Sequence, residues 1–131
     1  TGADIVVGAR DFYAPEVPWL RRWSNRRSSK WIAKKSGLPL SDFQCGFRLF
    51  TREAIRHLLP RLTGGLFEME TTMLILADRL GLQITETPIT TIYTKTSAGR
   101  SSWRVFRDSR RIYRALKKTL KNTEHLVTER V

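Results

Sequence analysis

The sequence predicts an α/β fold, because short apolar segments with strand character alternate with longer segments of helical periodicity. Ile5-Val6-Val7 is a β-branched run that ends at Gly8, which is typical of a buried strand. Apolar residues recur at helical spacing from Glu68 to Leu80, where a glycine follows. The next segment, Leu82 to Ile89, alternates as a strand does. Strands and helices therefore follow one another along the chain.

The remaining elements of the first half are one helix and one short strand. After a loop with two prolines, apolar residues mark a helix from Trp19 to Ser36. The sequence Gly37-Leu38-Pro39 ends this helix, because glycine and proline both interrupt helical geometry. Phe47 to Phe50 predicts a short strand.

The second half begins with a capped helix and ends with a basic one. Thr51 is the predicted N-cap of a helix from Arg52 to Leu59 that Pro60 ends. Residues 94–102 are polar and predict a loop, and Trp103 to Leu120 predicts a basic amphipathic helix. We expect the last eleven residues to be frayed.

The charge distribution predicts an anionic partner. Of the 131 residues 24 are Lys or Arg and 12 are Asp or Glu, which gives a formal charge of +12. Residues 19–35 contain seven cations and no acid, and residues 100–121 contain nine cations and one acid. Two basic segments thus flank a neutral middle, which fits a nucleic acid, a phosphate-bearing ligand or an anionic lipid surface.

The cysteine, histidine and hydropathy patterns argue against three features: an internal disulfide, a Cys/His metal site and a membrane-spanning helix. Cys45 is the single cysteine, so no internal disulfide forms, and we expect a reducing, cytoplasmic location. The two histidines lie far apart, which argues against a Cys/His metal site. No apolar run approaches the about 18 residues that a membrane-spanning helix needs.

The most informative stretch is Asp42 to Phe50, where an acid, a Cys-Gly pair and an arginine precede a helix. Phe67-Glu68-Met69-Glu70 then places two carboxylates at a helix start, and Glu86-Thr87-Pro88-Ile89 closes a strand. In this order and spacing, the segments resemble the C-terminal half of family 2 glycosyltransferases, in particular the dolichyl- or polyprenyl-phosphate sugar transferases. The resemblance begins at Asp4 to Arg10, continues through Arg21 to Ser29, and ends near the helix at 108–112.

This resemblance implies a glycosyltransferase A-type fold (that of nucleotide-diphospho-sugar transferases), a mixed sheet flanked by helices. It implies transfer of a sugar from a nucleotide-sugar donor to a polyprenyl or dolichyl phosphate, with inversion. Members of the family begin with a nucleotide-binding half, whose Asp-x-Asp pair holds a divalent metal (Mg or Mn) and the sugar diphosphate. This chain has no Asp-x-Asp pair. We therefore expect the donor half and its metal ligands to lie outside this chain, and the chain alone to be inactive.

The same resemblance divides the chain and assigns roles to its residues. Residues 1–103 would form the acceptor-side part of the catalytic domain, 104–121 the basic helix and 122–131 a frayed tail. Asp42 is the candidate catalytic residue, which would orient a lipid phosphate or act as a base, while the alternative is a carboxylate that caps a turn. Arg10 follows a glycine at a strand end, where α/β sheets bind ligands.

Four more residues are candidates for substrate binding. Arg21 and Arg26 match arginines that hold the acceptor phosphate in the family, and guanidinium groups suit phosphate oxygens. Their neighbours, also arginines, leave the register open. Arg48 either contacts substrate or pairs with Glu68 or Glu70 to hold a strand against a helix. Ser101 lies in a basic loop that resembles the family's mobile segment over the active site, or is simply solvated.

Two other classes of function remain open. The charge alone fits a nucleic-acid-binding module, but the Asp42 to Phe50 segment has no role in one, and no nucleic-acid-binding signature is present. A non-catalytic structural fragment is the third class. The Trp103–Leu120 helix either packs on the sheet or lies on an anionic membrane, which would make the protein peripheral on the cytoplasmic face.

Overall fold

The computed structural model describes residues 2–62, 65, 67–92 and 105–128. Among them a three-stranded sheet is formed by β1 (Ile5–Arg10), β2 (Arg48–Phe50) and β3 (Ile84–Ile89), in the order β2-β1-β3. β1 pairs antiparallel with β2 and parallel with β3. The predicted α/β class is confirmed, and the sheet is mixed and flanked by helices.

The central strand β1 is tightly enclosed. Ile5 and Val7 point to the same face because side chains alternate along a strand, and both are fully buried. Gly8 leaves room for the neighbouring strand. A Cβ atom at this position would lie 2.9 Å from Cδ1 of Ile89 and 3.3 Å from Sγ of Cys45. Close packing of β3 and of the Cys45 loop on β1 therefore depends on the missing side chain.

Local sequence signals set the helix ends. The helices are α1 (Trp19–Ser36), α2 (Arg52–Leu58), α3 (Phe67–Arg79), α4 (Val105–Asn122) and α5 (Glu124–Thr128). Thr51 caps α2 as predicted, since its Oγ1 accepts a hydrogen bond of 3.1 Å from the backbone N–H of Ala54. Gly37 ends α1 with a left-handed φ of 79°, which glycine adopts without strain.

Two predicted helix ends need comment. The α-helix α2 ends at Leu58, one residue before the predicted end, and residues Leu59–Arg61 continue as a 3-10 turn in which proline occupies an early position that needs no N–H donor. The predicted frayed tail contains α5, and Leu126 packs against the core. At the junction of α4 and α5, Thr123 is buried and its hydroxyl donates to the carbonyl of Thr119 at 2.7 Å.

Helix α3 is central to the core, and α4 packs against it. Residues Leu74, Ile75, Leu76 and Ala77 form a continuous buried run in α3. Ile112 and Leu116 of α4 are buried, and they belong to the same hydrophobic cluster. The amphipathic helix is therefore docked by its apolar face.

The apolar residues of α1 differ in their exposure to solvent. Trp19, Leu20 and Trp23, in its first half, are 76%, 50% and 56% exposed. Ile32, in the second half of the helix, is fully buried. The N-terminal half of α1 thus presents large apolar side chains to solvent.

Candidate active site

Arg10 and Asp42, both predicted from the sequence as site residues, form an ion pair. Nε of Arg10 donates to Oδ2 of Asp42 at 2.6 Å, and Nη2 donates to Oδ1 at 2.9 Å. The backbone N–H of Arg10 lies 3.3 Å from the same Oδ2. This bidentate geometry, with two parallel hydrogen bonds, is the strongest form of an Arg–Asp contact. The Asp42 side chain has no exposed surface, whereas that of Arg10 is 23% exposed.

Asp42 also caps a turn. Its Oδ1 accepts a hydrogen bond of 3.1 Å from the backbone N–H of Gln44, two residues further on. The turn that the alternative interpretation predicts is therefore present, and the same carboxylate pairs with Arg10. With both oxygens engaged and no exposed surface, Asp42 acts on its surroundings through Arg10 in this conformation.

A third residue of this network, Glu86 of β3, was not among the site residues predicted from the sequence. Its Oε1 accepts hydrogen bonds from the backbone N–H of Ser41 at 2.7 Å and of Asp42 at 3.0 Å. The Ser41 hydroxyl donates to the same oxygen at 3.1 Å. The signal that could have identified it is a carboxylate in the middle of a short strand, where charged residues are unfavourable unless they have a partner.

Arg48 holds the loop before β2 against α3. Its guanidinium donates to the carbonyl oxygens of Phe43 at 2.9 Å, Cys45 at 2.9 Å and Glu70 at 2.6 Å. Burial lowers the pKa of Arg48 from its ordinary value, and the neighbouring charge of Glu70 opposes that shift. The expected link between strand and helix is therefore present, but it uses the main-chain carbonyl of Glu70 and not its carboxylate.

The two glutamates at the start of α3 lie in different environments. Burial raises the pKa of Glu70 above the ordinary value of 4.5, with the charges of Arg48 and Arg10 acting in the opposite direction. Oε1 of Glu68 lies 3.5 Å from Nη2 of Arg111 on α4. Glu70 therefore belongs to the group around Arg10, Asp42 and Arg48, and Glu68 joins α3 to α4.

Two other predicted substrate-binding residues, Arg21 and Arg26, lie outside this group. The guanidinium of Arg26 stacks over the ring of Tyr13, 4.4 Å from its centroid. Arg21 is half-buried on α1, and the hydrogen bonds of Asp42 involve neither arginine. Ser101 lies outside the described residues.

A groove between α1 and α4 has a volume of about 860 Å³. The rings of Trp31 and Tyr113 meet across it, with their centroids 5.1 Å apart. Gln44, next to the Asp42 turn, also lines it. The described residues that line the groove include no carboxylate but five cations, namely Arg27, Lys30, Lys34, Arg110 and Arg114. An apolar floor with a cationic rim suits a ligand that is both apolar and anionic.

Two relatives match about three quarters of the chain. An uncharacterized protein of Methanocaldococcus jannaschii, MJ1222, is 31% identical over 104 residues, which cover 77% of this chain and 43% of that protein. The UDP-N-acetylglucosamine–dolichyl-phosphate N-acetylglucosaminyltransferase of Methanococcus voltae is 36% identical over 102 residues. Those residues cover 76% of this chain and 41% of that enzyme. The chain is related to part of a glycosyltransferase.

The chain spans about two fifths of the length of these curated relatives. No protein-family model matches it, and no solved structure matches it. In the described part of the chain, no group of three or more His, Cys, Asp or Glu residues could hold a metal ion. None of the helices described there combines the length and apolar character that crossing a membrane requires.

Proposed function

We propose that this chain is the acceptor-side part of a glycosyltransferase that moves a sugar from a nucleotide-sugar donor to a polyprenyl or dolichyl phosphate, with inversion. The observation that carries the proposal is the 36% identity to the Methanococcus voltae dolichyl-phosphate enzyme over 76% of this chain. The groove between α1 and α4 supports the lipid-phosphate acceptor independently, because its lining is chemically matched to such a molecule.

The groove would bind the two ends of the acceptor differently. The aromatic rings of Trp23, Trp31 and Tyr113 offer apolar surface to isoprene units. Arg110 and Arg114 from α4, opposite Arg27 from α1, offer guanidinium groups to the phosphate. A lipid phosphate therefore matches the groove better than a free sugar, which carries neither a charge nor a long apolar chain.

Arg10 and Asp42 would act at the end of the sheet. β1 and β3 run parallel, so the carboxyl ends of both strands, Arg10 and Ile89, lie at one edge. Ligands of α/β sheets bind at this edge. A phosphate nucleophile is already anionic and needs no strong base. Asp42 would then hold the guanidinium of Arg10 in place, and Arg10 would contact anionic groups of the reactants.

A divalent metal in the complete enzyme would neutralise the donor diphosphate. The chain spans about two fifths of its curated relatives, and the ligands of that metal would lie in the donor-binding half of the complete enzyme. The role that we propose for Arg10 and Asp42 does not depend on the metal, because the two side chains contact each other directly.

The exposed half of α1 supports peripheral attachment to the cytoplasmic face of a membrane. Trp19 and Trp23 are exposed, as is Tyr13 at 64%. Two of these rings are stacked with arginines, Tyr13 with Arg26 and Trp23 with Arg27. Amphipathic aromatic side chains next to cations are typical of the boundary between lipid headgroups and acyl chains. A lipid acceptor would enter the groove from that side.

The proposal is tested by binding of farnesyl phosphate, with farnesol and inorganic phosphate as the two half-ligands. We expect farnesyl phosphate to quench or shift tryptophan fluorescence at concentrations where neither half-ligand does. Replacing both Arg110 and Arg114 with Gln should weaken binding by about tenfold or more, because hydrogen bonds to charged groups contribute about 1.5–3 kcal/mol. Lys118→Gln with Lys121→Gln is the matched control, since both residues lie on α4 outside the groove.

Two outcomes would contradict the proposal. Equal affinity for farnesol and farnesyl phosphate would show that the cations of the groove do not bind the phosphate group. Tighter binding to an oligonucleotide than to farnesyl phosphate at the same salt concentration would favour the nucleic-acid module. Transfer of labelled sugar to a polyprenyl phosphate, by a protein that joins this chain to a donor-binding half, is the corresponding test of activity.

A further inference from the structure

Two carboxylates, those of Glu86 and Asp42, link three segments that are far apart in the sequence. Oε1 of Glu86 accepts from the backbone N–H groups of Ser41 and Asp42, and the Asp42 carboxylate in turn accepts from Arg10. These contacts link β3 to the turn before β2, and the turn to β1. In the parallel register Glu86 lies opposite Val7, three residues before Arg10 on the neighbouring strand.

We propose that Glu86 is a positioning residue that sets the orientation of the Asp42 carboxylate and, through it, of the Arg10 guanidinium. The effect on Arg10 is independent of what the protein does. The effect on catalysis rests on the proposed function.

Glu86 holds the peptide that carries Asp42. Two successive backbone N–H groups converge on one carboxylate oxygen, at 2.7 and 3.0 Å. That convergence fixes the plane of the Ser41–Asp42 peptide, because both donors must point at the same atom. With the plane fixed, the Asp42 side chain leaves the turn on the side that faces Arg10.

Solvent could not replace this acceptor at both positions. Ser41 is exposed, so water can reach its N–H group and its hydroxyl. Asp42 is completely buried, so its N–H would lose its acceptor without gaining water. A buried N–H without a partner is unfavourable, and the turn would rotate to satisfy it. Such a rotation would carry the carboxylate away from Arg10.

The first experiment reads the Arg10 side chain directly. The Nε–H group of Arg10 donates to Asp42 at 2.6 Å, so its proton should exchange slowly with solvent in ¹⁵N NMR spectra. In Glu86→Ala we expect this exchange to accelerate by about tenfold or more, the effect of losing one well-placed hydrogen-bond partner. Glu86→Gln keeps a side-chain oxygen at the same place, and exchange should remain near the wild-type rate.

The backbone amides of β1 distinguish positioning from a general loss of structure. Under the proposal they keep their wild-type exchange rates in Glu86→Ala. Glu16→Ala is the charge-matched control, because Glu16 is an exposed loop residue outside this network. Unchanged Arg10 exchange in Glu86→Ala would overturn the proposal. Equal acceleration of the Arg10 side chain and the β1 amides would also overturn it, since that pattern marks ordinary destabilisation.

A second variant covers the case in which Glu86→Ala does not fold. Glu86→Asp keeps the negative charge but withdraws the oxygen by one carbon–carbon bond. If the Nε proton of Arg10 exchanges faster in Glu86→Asp than in the wild type, the position of the Glu86 oxygen matters. An exchange rate equal to that of the wild type excludes this role of Glu86.

The catalytic consequence is measured in the complete transferase. Glu86→Ala should lower kcat/KM by about tenfold, and Glu86→Gln should restore it to near the wild-type value. Rescue by Gln would show that the position of the oxygen matters more than its charge. If the wild-type enzyme transfers no sugar, the proposed function fails, and the Arg10 exchange rates still decide whether Glu86 positions the pair.

Discussion

Replacing Asp42 with Asn removes one negative charge from a completely buried side chain and changes its volume little. The wild-type carboxylate accepts three hydrogen bonds from Arg10 and one from the N–H of Gln44. Asn retains one oxygen, which can still serve the Gln44 turn. Its amide nitrogen is a donor, and it would face either Nε or Nη2 of Arg10, which are donors too.

The expected loss of stability follows from the burial of the two partners. Breaking a fully buried ion pair by removing one partner costs about 3–5 kcal/mol, because a charge remains without compensation. The Arg10 side chain is 23% exposed, so water can take over part of its solvation. We therefore expect Asp42→Asn to lower the free energy of unfolding by about 2–3 kcal/mol, below the fully buried range.

Urea denaturation at neutral pH measures this loss. With a slope of about 1–3 kcal/mol per molar urea, the midpoint should fall by about 1–2 M. Asp11→Asn is the matched control, because the exposed Asp11 caps a turn in the same way, accepting from the N–H of Tyr13 at 2.8 Å. Its midpoint should change little. Equal midpoints for the two variants would refute the claim that the buried ion pair, and not the turn, dominates at Asp42.

Three further substitutions test other parts of the structure, each by urea denaturation. Gly8→Ala should cost about 1–3 kcal/mol by overpacking, because the new Cβ meets a side chain of β3 at 2.9 Å. Gly46→Ala, with its nearest contact at 3.5 Å, should cost less, and the reverse order would contradict the packing argument. Arg48→Lys should cost about 2–4 kcal/mol, since one ammonium group cannot serve three carbonyl oxygens, whereas Arg52→Lys on the exposed surface should change little. Glu70→Gln should be more stable than the wild type at neutral pH, because the raised pKa of Glu70 means that folding disfavours its ionised form. That difference should vanish as the pH falls below the ordinary value of 4.5, and a difference independent of pH would contradict it.

Local signals in the sequence predicted much of the fold. The cap at Thr51 and the stop at Gly37 depend on residues within four positions, so the sequence contains all the information needed. The exposure of the first half of α1 was not predicted, because hydropathy does not separate a face that packs on the core from one that faces solvent. Trp19 and Trp23 are apolar in either case.

The sequence predicted some residues of the candidate site, but neither Glu86 nor the contacts between the residues. Arg10 and Asp42 were both selected from the sequence, yet they are 32 residues apart, and only the fold shows that they form one ion pair. The contact between Glu86 and Ser41 spans 45 residues. No local pattern specifies such a partner, because the path of the chain between them decides the distance. The glycosyltransferase A-type fold and the roles of Arg21, Arg26 and Ser101 stay predictions.

The parallel pairing of β1 with β3 affects the order in which the protein is assembled. The backbone N–H of Ile5 donates to the carbonyl of Gln83, and the backbone N–H of Gln83 donates to the side chain of Asp4, 79 residues away. The central strand therefore reaches its parallel neighbour only after the chain has been synthesised as far as β3. Contacts of such long sequence separation require closure of a large loop before they contribute any stability. We expect α1 and α3 to gain structure early, and the sheet that orients Arg10 to form in the slow, final phase of folding.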